Sequence, residues 1–362
     1  MRVAVILTAR PSWAKLSPVV GALVAHGVGV QLVVCASALL ERYGAVVHVV
    51  RQAFPAVPIE EVWSTLEGAT LETSARETGL LLVDLAGILR RLRPDAVVVC
   101  ADRHEVLAAA QAARYQNVRL VHLQGGEQSG SVDAVVRDAI THLADVHCVC
   151  TRRAGYRVYG LTGAWSAIHV TGCPSIDEAH ATIGQAPVTP EELSGVGCVV
   201  DLSQPFLTVL QHPVTGEVDQ AADDLDRTIV ACLATGCPTV VFWPGQDAGA
   251  EAMSKRLRLW DGRVRAVRNL PPQRFLKFLT QTACLVGNSS AGIREGSYLG
   301  VPVVNVGTRQ QGRERGPNVR DVGDPAGIYP ALAEQVAHGP YPSSRLYGDG
   351  HAAARIAQVI CG

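Results

Sequence analysis

The sequence has no excess of charge of either sign: its 362 residues include 32 lysines and arginines against 33 aspartates and glutamates. Such a chain creates no overall field that would recruit nucleic acid or an anionic membrane. It also lacks an apolar run near the roughly 20 residues needed to span a bilayer. The apolar run before Arg10 is shorter than a signal-peptide core. We therefore expect a cytoplasmic protein without nucleic-acid or membrane partners, which binds any anion through local geometry.

The ten cysteines lack the spacing of a metal site or a disulfide framework, because no two of them form a CxxC pair. Several lie in strand-like segments such as VVVC and VHCVC, where cysteine behaves as a small apolar residue. The chain also contains no Walker-type sequence and no complete GxGxxG motif. We predict no metal and no cofactor.

Short apolar segments alternate with segments of helical spacing along the chain, and the 48% apolar content is ample for a core in each half. Continuous apolar segments favour parallel strands that are buried on both faces. This alternation occurs twice, which predicts two Rossmann-like, doubly wound α/β domains with a central cleft. The predicted strands are RVAVILTA, VQLVVCAS, DAVVVCAD, VRLVHLQ, DVHCVC, AIHVTG, FLTVLQHP, PTVVFWP, VRAVRN, ACLVGN and VPVVNVG.

A polar segment with prolines and glycines, residues 181–197, separates the two series. We predict an N-terminal domain over residues 1–180, a C-terminal domain over 198–350 and a C-terminal helix over 351–362. Ligands of open α/β sheets bind at the carboxyl ends of strands, and polar residues follow the predicted strands in both halves. These segments are TARPSWAKL, ADRHE, QGGEQSGSVD, QHPVT, WPGQDAG and GNSSAG.

The segment GNSSAG opens a short predicted helix, IREGSYLG. A turn before a helix presents unpaired backbone N–H groups and a positive dipole end, which suits an anion and most often a phosphate. Ser289 and Ser290 could instead be ordinary helix caps. The turn alone leaves both interpretations open.

Together these segments resemble the UDP-N-acetylglucosamine 2-epimerase family, and more closely its hydrolysing branch, which releases N-acetylmannosamine. The resemblance spans almost the whole chain in the family's order. It implies the glycosyltransferase-B fold of two Rossmann-like domains, a UDP-sugar substrate and a homodimer. Its segments are TARPSWAKL, ADRHE, HLQGGEQSGSVDAVVRDAITHLADVH, TGCPSID, QHPVT, WPGQDAG and GNSSAGIREGSYLGVPVVNVGTRQQGRERGPNV.

In this family the GNSS turn holds the diphosphate of UDP. The resemblance therefore implies that Ser289 and Ser290 donate to phosphate, while Gly287 and Gly292 allow close backbone approach. Glu295 is expected to accept hydrogen bonds from the ribose hydroxyls, because a carboxylate can accept from both at once.

Further substrate-binding residues are implied outside this turn. Arg10 is expected to reach the diphosphate from the N-terminal domain and close the cleft, Arg313 to contact the phosphates or their acidic neighbours, and Asp247 to contact substrate from WPGQDAG. For Arg309 and Arg315 a solvated loop held by surface ion pairs is an open alternative.

The family's reaction removes the sugar C2 proton and expels UDP from C1, which gives a glycal; the hydrolysing branch then adds water. This chemistry needs a carboxylate near C2, a proton donor and stabilisation of the leaving diphosphate. Neighbouring carboxylates hold one of their number protonated. By resemblance, Asp102, Glu127 and Asp133 form the acid/base group, and His212 contacts substrate or assists proton transfer.

Each catalytic candidate also has a structural alternative. Asp102 could cap a loop and Asp133 could be a helix N-cap, while His212 could be an oriented loop histidine. Arg137, one helical turn after Asp133, is expected to orient the carboxylates rather than to bind substrate.

Two departures from the family pattern affect the expected sugar rather than the reaction class. The chain reads TAR and CADR where relatives read G-T-R and G-D-R, and alanine restricts positive φ. It also reads RDAITHLAD, with Asp138 and His142 where relatives have a histidine and a lysine. QGGE and QHPVT favour hydrolysis of UDP-N-acetylglucosamine or a related UDP-hexosamine. A non-hydrolysing epimerase, a glycosyltransferase and an inactive nucleotide-sugar-binding homologue are the alternatives.

Overall fold

The structure is a computed structural model that describes residues 1–66, 70–245 and 247–362, so Gln246 of WPGQDAG lies outside the described residues. The chain divides into two compact units. The first comprises residues 1–127, 132–177 and 347–362, and the second comprises residues 128–131 and 178–346. No helix within the described ranges is long and apolar enough to cross a membrane.

The first unit is built on a seven-stranded sheet in which every pairing is parallel. Its strands are β1 Arg2–Leu7, β2 Gly29–Cys35, β3 Ile59–Val62, β4 Ala96–Cys100, β5 Arg119–Leu123, β6 Val146–Val149 and β7 Ile168–Val170. The helices are α1 Arg10–Ala25, α2 Val46–Ala53, α3 Leu71–Leu92, α4 His104–Tyr115, α5 Asp133–Leu143, α6 Arg152–Thr162 and α7 Pro174–Ala181. α7 continues into the second unit.

The order of this sheet is β3-β2-β1-β4-β5-β6-β7, which is the doubly wound order of a dinucleotide-binding domain with one further strand. Successive residues of β1 face opposite sides, as a pleated strand requires. Val3 and Val5 join one apolar cluster, while Ala4 and Ile6 join another. A core on both faces explains why the strands of this sheet are continuously apolar.

The second unit also contains a seven-stranded sheet, with the order β14-β13-β12-β9-β10-β11-β8. Its strands are β8 Gly195–Gly197, β9 Leu207–Leu210, β10 Thr239–Phe242, β11 Arg265–Val267, β12 Cys284–Gly287, β13 Val303–Val306 and β14 Val319–Val322. The helices are α8 Ala221–Ala234, α9 Ala250–Leu257, α10 Pro272–Leu279, α11 Ser290–Ile293, α12 Glu295–Leu299 and α13 Ile328–His338. Among the strands that the structure describes, only the short β8 pairs antiparallel. The prediction of two doubly wound α/β sheets is confirmed.

The last helix, α14 Ala352–Cys361, belongs to the first unit. Ala353, Ile356 and Ile360 join the same apolar cluster as β1 and α1. Asp177 accepts hydrogen bonds from the backbone N–H groups of Ala352 and Ala353 at 2.9 and 2.7 Å, so it holds the start of the helix.

Candidate functional site

The carboxyl ends of three strands in the first unit carry strained residues. Ala36, Ala101 and Gln124 directly follow β2, β4 and β5, with φ values of 52°, 69° and 66°. Residues other than glycine rarely adopt this left-handed region, and such strain is typical of functional sites. Ala101 takes a positive φ although it is not glycine, whereas Ala9 of TAR is extended, with φ of −151°.

Asp102 and Glu127 are held by one buried arginine. Arg137 of α5 is 1% exposed. Its guanidinium forms an ion pair with the Asp102 carboxylate and donates to the Glu127 backbone carbonyl at 2.5 Å. Asp102 follows β4 and Glu127 lies after β5, so the arginine joins the ends of two neighbouring strands. The Asp102 side chain retains 19% exposure.

Asp133 is the first residue of α5, and Val132 is the N-cap. The alternative that Asp133 is the helix N-cap is therefore wrong. Asp133 and Arg137 are four residues apart on one helix and so share a face. Asp102 is likewise not the N-cap of the following helix, since Arg103 occupies that position in α4.

Asp138, one of the family departures, pairs with Arg157 of α6. The two side chains are 24% and 28% exposed. This ion pair offsets the negative charge of Asp138. His142, in contrast, is exposed at the end of α5.

Two buried groups of this edge were not singled out by the sequence interpretation. Glu105 is 1% exposed and accepts two-pronged hydrogen bonds from Arg103 at 3.0 Å. Burial raises the pKa of Glu105, but Arg103 and His104 outweigh burial, so the pKa lies below its ordinary value. The second group is His122 of β5, 0% exposed, whose Nε2 lies 2.9 Å from the carbonyl oxygen of Ala101. The position of His122 in HLQGG, directly before the strand end, was the available signal.

In the second unit, His212 is tied to the GNSS turn. The backbone N–H of His212 donates to Asn288 Oδ1, and Asn288 Nδ2 donates to the backbone carbonyl of His212, both at 2.7 Å. β9 and β12 are neighbours although the chain runs outward from them in opposite directions. This is the switch point at which doubly wound sheets bind ligands. Gln310 and Arg309 also donate to the Asn288 carbonyl, at 2.8 and 3.3 Å.

Gly287 and Gly292 are each required to be glycine for a different structural reason. Gly287 has φ of 128°, and a Cβ built there would lie 2.4 Å from the Leu210 carbonyl oxygen. Gly292 is needed for packing, because its Cβ would lie 2.9 Å from a methyl group of Val303. Only glycine fits the first position, and a side chain at the second would push α11 away from β13.

Ser289 is the N-cap of α11, and its hydroxyl accepts from the Ala291 N–H at 3.3 Å. The capping interpretation therefore holds for Ser289, while Ser290 is the first residue of the helix. Both serines are partly exposed.

Glu295 and Arg313 are both 8% exposed. Glu295 begins α12, and its buried Oε2 makes no hydrogen bond to the described residues. An unsatisfied buried carboxylate oxygen costs free energy, so this atom is suited to a donor from a ligand. Arg315, in contrast, is used within the loop: its guanidinium binds Asp321 and donates to the carbonyls of Arg313 and Gln310.

Arg10 and Asp247 lie at the start of helical segments. Arg10 is the first residue of α1, and burial lowers the pKa of its guanidinium. It belongs to the first unit, and no side chain of the described residues caps the N-terminus of α1. Asp247 is partly exposed in the second unit, and its carbonyl accepts from the Ala250 N–H at 3.0 Å. The predicted residues therefore divide between the two units, and each lies at the end of a strand of its sheet or in the segment that follows a strand in the chain.

Two Rossmann-like α/β units with polar residues at the carboxyl edge of each sheet define a protein of the glycosyltransferase-B fold. A structure of UDP-GlcNAc 2-epimerase from Neisseria meningitidis, bound to UDP-GlcNAc, superposes with a TM-score of 0.79 and 16% identity, covering 100% of both chains. The S. aureus MnaA–UDP structure gives a TM-score of 0.79 with 18% identity, over 99% of this chain and 95% of that one.

The family model for UDP-N-acetylglucosamine 2-epimerase matches residues 22–361, and the chain belongs to this family. It is 32% identical over 298 residues to UDP-N,N'-diacetylbacillosamine 2-epimerase (hydrolyzing) of Legionella pneumophila, covering 82% of this chain and 78% of the relative. It is 25% identical over 368 residues to UDP-N-acetylglucosamine 2-epimerase of Neisseria meningitidis, covering 99% and 94%.

Proposed function

We propose that the chain is a hydrolysing UDP-sugar 2-epimerase, which converts UDP-N-acetylglucosamine or a related UDP-hexosamine and water into the 2-epimeric N-acetylhexosamine and UDP. The observation that carries the proposal is the partly exposed Asp102 side chain, whose carboxylate is held by the buried Arg137 at the end of β4. Hydrolysis is supported by the relative from Legionella, whose name states that it is hydrolyzing.

In the first step, we assign a carboxylate of the Asp102, Glu127 and Asp133 group to remove the proton from C2. The electrons of the C2–H bond form the C1–C2 double bond, and the C1–O bond to UDP breaks. A base that acts while the anomeric bond is breaking avoids a free carbanion, and correct placement makes a weak base effective. Arg137 orients the Asp102 carboxylate through their ion pair.

In the second step, the oxygen of water adds to C1 of the glycal while a proton is delivered to C2 on the opposite face. The sugar leaves as the 2-epimer, and UDP is the other product. A carboxylic acid of the same group supplies this proton, and a carboxylate accepts the proton of water. His212 is assigned to contact substrate or to assist this transfer.

The second unit is assigned to UDP. Ser289 and Ser290 would donate to the diphosphate at the GNSS turn, and Gly287 and Gly292 would allow close approach of the backbone in addition to their roles in the turn and in packing. Glu295 would accept from the ribose hydroxyls, consistent with its buried Oε2. Phosphate contacts for Arg10 and Arg313 and a substrate contact for Asp247 belong to the same assignment.

A second candidate function is reversible epimerisation with UDP retained. It is supported by the Neisseria relative, which is named UDP-N-acetylglucosamine 2-epimerase and aligns over 99% of this chain. The sugar also has a second candidate, UDP-N,N'-diacetylbacillosamine, from the name of the Legionella relative.

Proton NMR of the protein with UDP-N-acetylglucosamine in heavy water separates these functions. The proposal expects UDP release and free N-acetylmannosamine with deuterium at C2. Deuterium at C2 with UDP still attached would show a reversible epimerase. UDP binding without either change would exclude this sugar, and the diacetylated substrate would then be measured in the same way.

Asp102→Asn tests the base in this assay. Loss of the carboxylate should lower UDP release by about 10² to 10⁴-fold, the usual contribution of general base catalysis, with UDP affinity retained. Asp84→Asn is the matched control, since Asp84 is exposed on α3, and it should release UDP at the wild-type rate. Unchanged turnover in Asp102→Asn would contradict the assigned role.

A further inference from the structure

His122 uses both nitrogens of its ring. Nε2 lies 2.9 Å from the Ala101 carbonyl oxygen, and Nδ1 lies 3.2 Å from the Thr141 hydroxyl. A carbonyl oxygen can only accept, so Nε2 carries the proton, and Nδ1 accepts from the hydroxyl when the imidazole is neutral. Burial lowers the pKa of His122 to about 4; the Ala101 carbonyl opposes this shift and His147 adds to it. The ring is therefore neutral at pH 7.

The acceptor of this hydrogen bond is a strained residue. Ala101 has φ of 69° and directly precedes Asp102. Its N–H donates to the Leu123 carbonyl at 3.0 Å, and its carbonyl accepts from His122, so β5 holds both backbone groups of Ala101. Such strain persists only where the surroundings over-determine the conformation.

Two residues of helix α5 support the Ala101–Asp102 turn, one directly and one through His122. Arg137 pairs with the Asp102 carboxylate, and Thr141, one helical turn later, is the partner of His122. The backbone of Gly125 packs closely against the His122–Thr141 pair, because a Cβ there would lie 3.1 Å from both His122 Nδ1 and Thr141 Oγ1. The side chain and the backbone of the Asp102 turn are thus fixed from one helix.

We propose that His122 is a positioning residue, whose Nε2–H holds the Ala101–Asp102 turn in the strained conformation that places the Asp102 carboxylate for proton abstraction. His122 acts through the backbone and transfers no proton to or from the sugar. The inference rests on the proposed function and assigns the proton abstraction to Asp102 within the group of three carboxylates.

The test compares His122→Gln with His122→Leu. The Gln amide can donate to the Ala101 carbonyl from a position near Nε2, whereas leucine removes the donor. We expect kcat of His122→Leu to fall by about 100-fold, the usual effect of a misplacement near 1 Å, with KM and UDP affinity unchanged. His122→Gln should recover most of this loss.

Thr141→Val and Thr141→Ser provide a second pair, in which serine keeps the hydroxyl and should keep more of kcat. Thr228→Val is the matched control: Thr228 is 0% exposed, and its hydroxyl donates to a backbone carbonyl within α8 of the second unit. It should leave kcat unchanged. If His122→Leu fails to fold, the glutamine and threonine variants still decide the question.

Two kinetic outcomes would overturn the inference. Wild-type kcat in His122→Leu would show that the hydrogen bond is not required. An equal loss in the glutamine and leucine variants, with both folded, would indicate that the imidazole itself transfers a proton.

Nitrogen-15 NMR of the wild-type protein at pH 7 gives a readout that is independent of turnover. The His122 signal, assigned by its loss in His122→Gln, should show a protonated Nε2 and an unprotonated Nδ1. The opposite tautomer or an imidazolium would overturn the inference. A wild type that releases no UDP from either UDP-N-acetylglucosamine or the diacetylated substrate contradicts the proposed function instead, and the tautomer still decides the geometry.

Discussion

At the scale of single residues, two buried histidines make the first unit sensitive to acid. His122 and His147 are register partners in β5 and β6 and are 0% and 2% exposed. Burial lowers the pKa of each to about 4. Around His147, Asp145 raises the pKa, while His169 and His142 lower it. Both rings are therefore neutral in the native protein at pH 7.

This neutrality predicts a pH dependence of stability. Unfolded histidine titrates near 6.5, so between about pH 6.5 and 4 the unfolded chain binds more protons than the native one. The free energy of unfolding should fall as the pH drops through this window, with a slope of up to about 2.7 kcal/mol per pH unit for two groups. Urea unfolding at pH 7, 6 and 5 measures it.

His122→Gln should reduce that slope by about 1.4 kcal/mol per pH unit, the contribution of one proton. His26→Gln is the control, because His26 is exposed at the end of α1, and its slope should match the wild type. Identical slopes in all three proteins would show that folding does not change proton binding by His122.

At the scale of elements, the sequence pattern identified the strands whose burial is continuous. Each predicted strand is present. Three others, β3, β8 and β14, were missed, and all lie at sheet edges. Their sequences, IEEV, GVG and VRDV, are short and carry charged residues or glycine. Edge strands have one unpaired side and need no apolar burial on both faces, so they lack the signal of an interior strand.

At the end of β12, we expect the addition of one methyl group to Gly287 to lower the free energy of unfolding substantially. Gly287→Ala would place a Cβ 2.4 Å from the Leu210 carbonyl oxygen at φ of 128°. We expect a loss of about 2 kcal/mol or more in the free energy of unfolding and weaker UDP binding, because the GNSS turn must shift. Urea unfolding and calorimetric titration with UDP measure both.

Gly323→Ala is the matched control in the same unit. Its Cβ would have no atom within 4 Å, and its φ is not positive. Stability within about 0.5 kcal/mol of the wild type is expected for such an unstrained surface change. Equal effects of the two substitutions would contradict the steric argument at Gly287.

At the scale of the whole molecule, two segments belong to a different unit from their neighbours in sequence. The last sixteen residues, 347–362, belong to the first unit, and α14 covers the apolar face that β1 and α1 present. Residues 128–131, from the middle of the first series, belong to the second unit. Neither assignment follows from local periodicity, because both depend on contacts between segments that are distant in sequence.

Ile356→Ala tests the contribution of α14 to the first unit. Ile356 is 0% exposed within the cluster that contains β1. Its truncation in the full-length chain should cost about 2 to 5 kcal/mol in the free energy of unfolding. Gln358→Ala, at an exposed position of the same helix, should cost little. Similar urea midpoints for the two variants would show that α14 contributes little to the core.

The sequence by itself determined the two α/β series, the interior strands and the family, because continuous apolar segments and strand-end motifs can each be recognised from a few consecutive residues. It also named Asp102, Glu127 and the GNSS turn as candidates. Only the tertiary structure decided that Arg137 joins Asp102 to the Glu127 carbonyl, that His122 holds Ala101, and that α14 completes the first unit. These depend on which strands become neighbours and on side-chain geometry, and a one-dimensional pattern of polarity records neither.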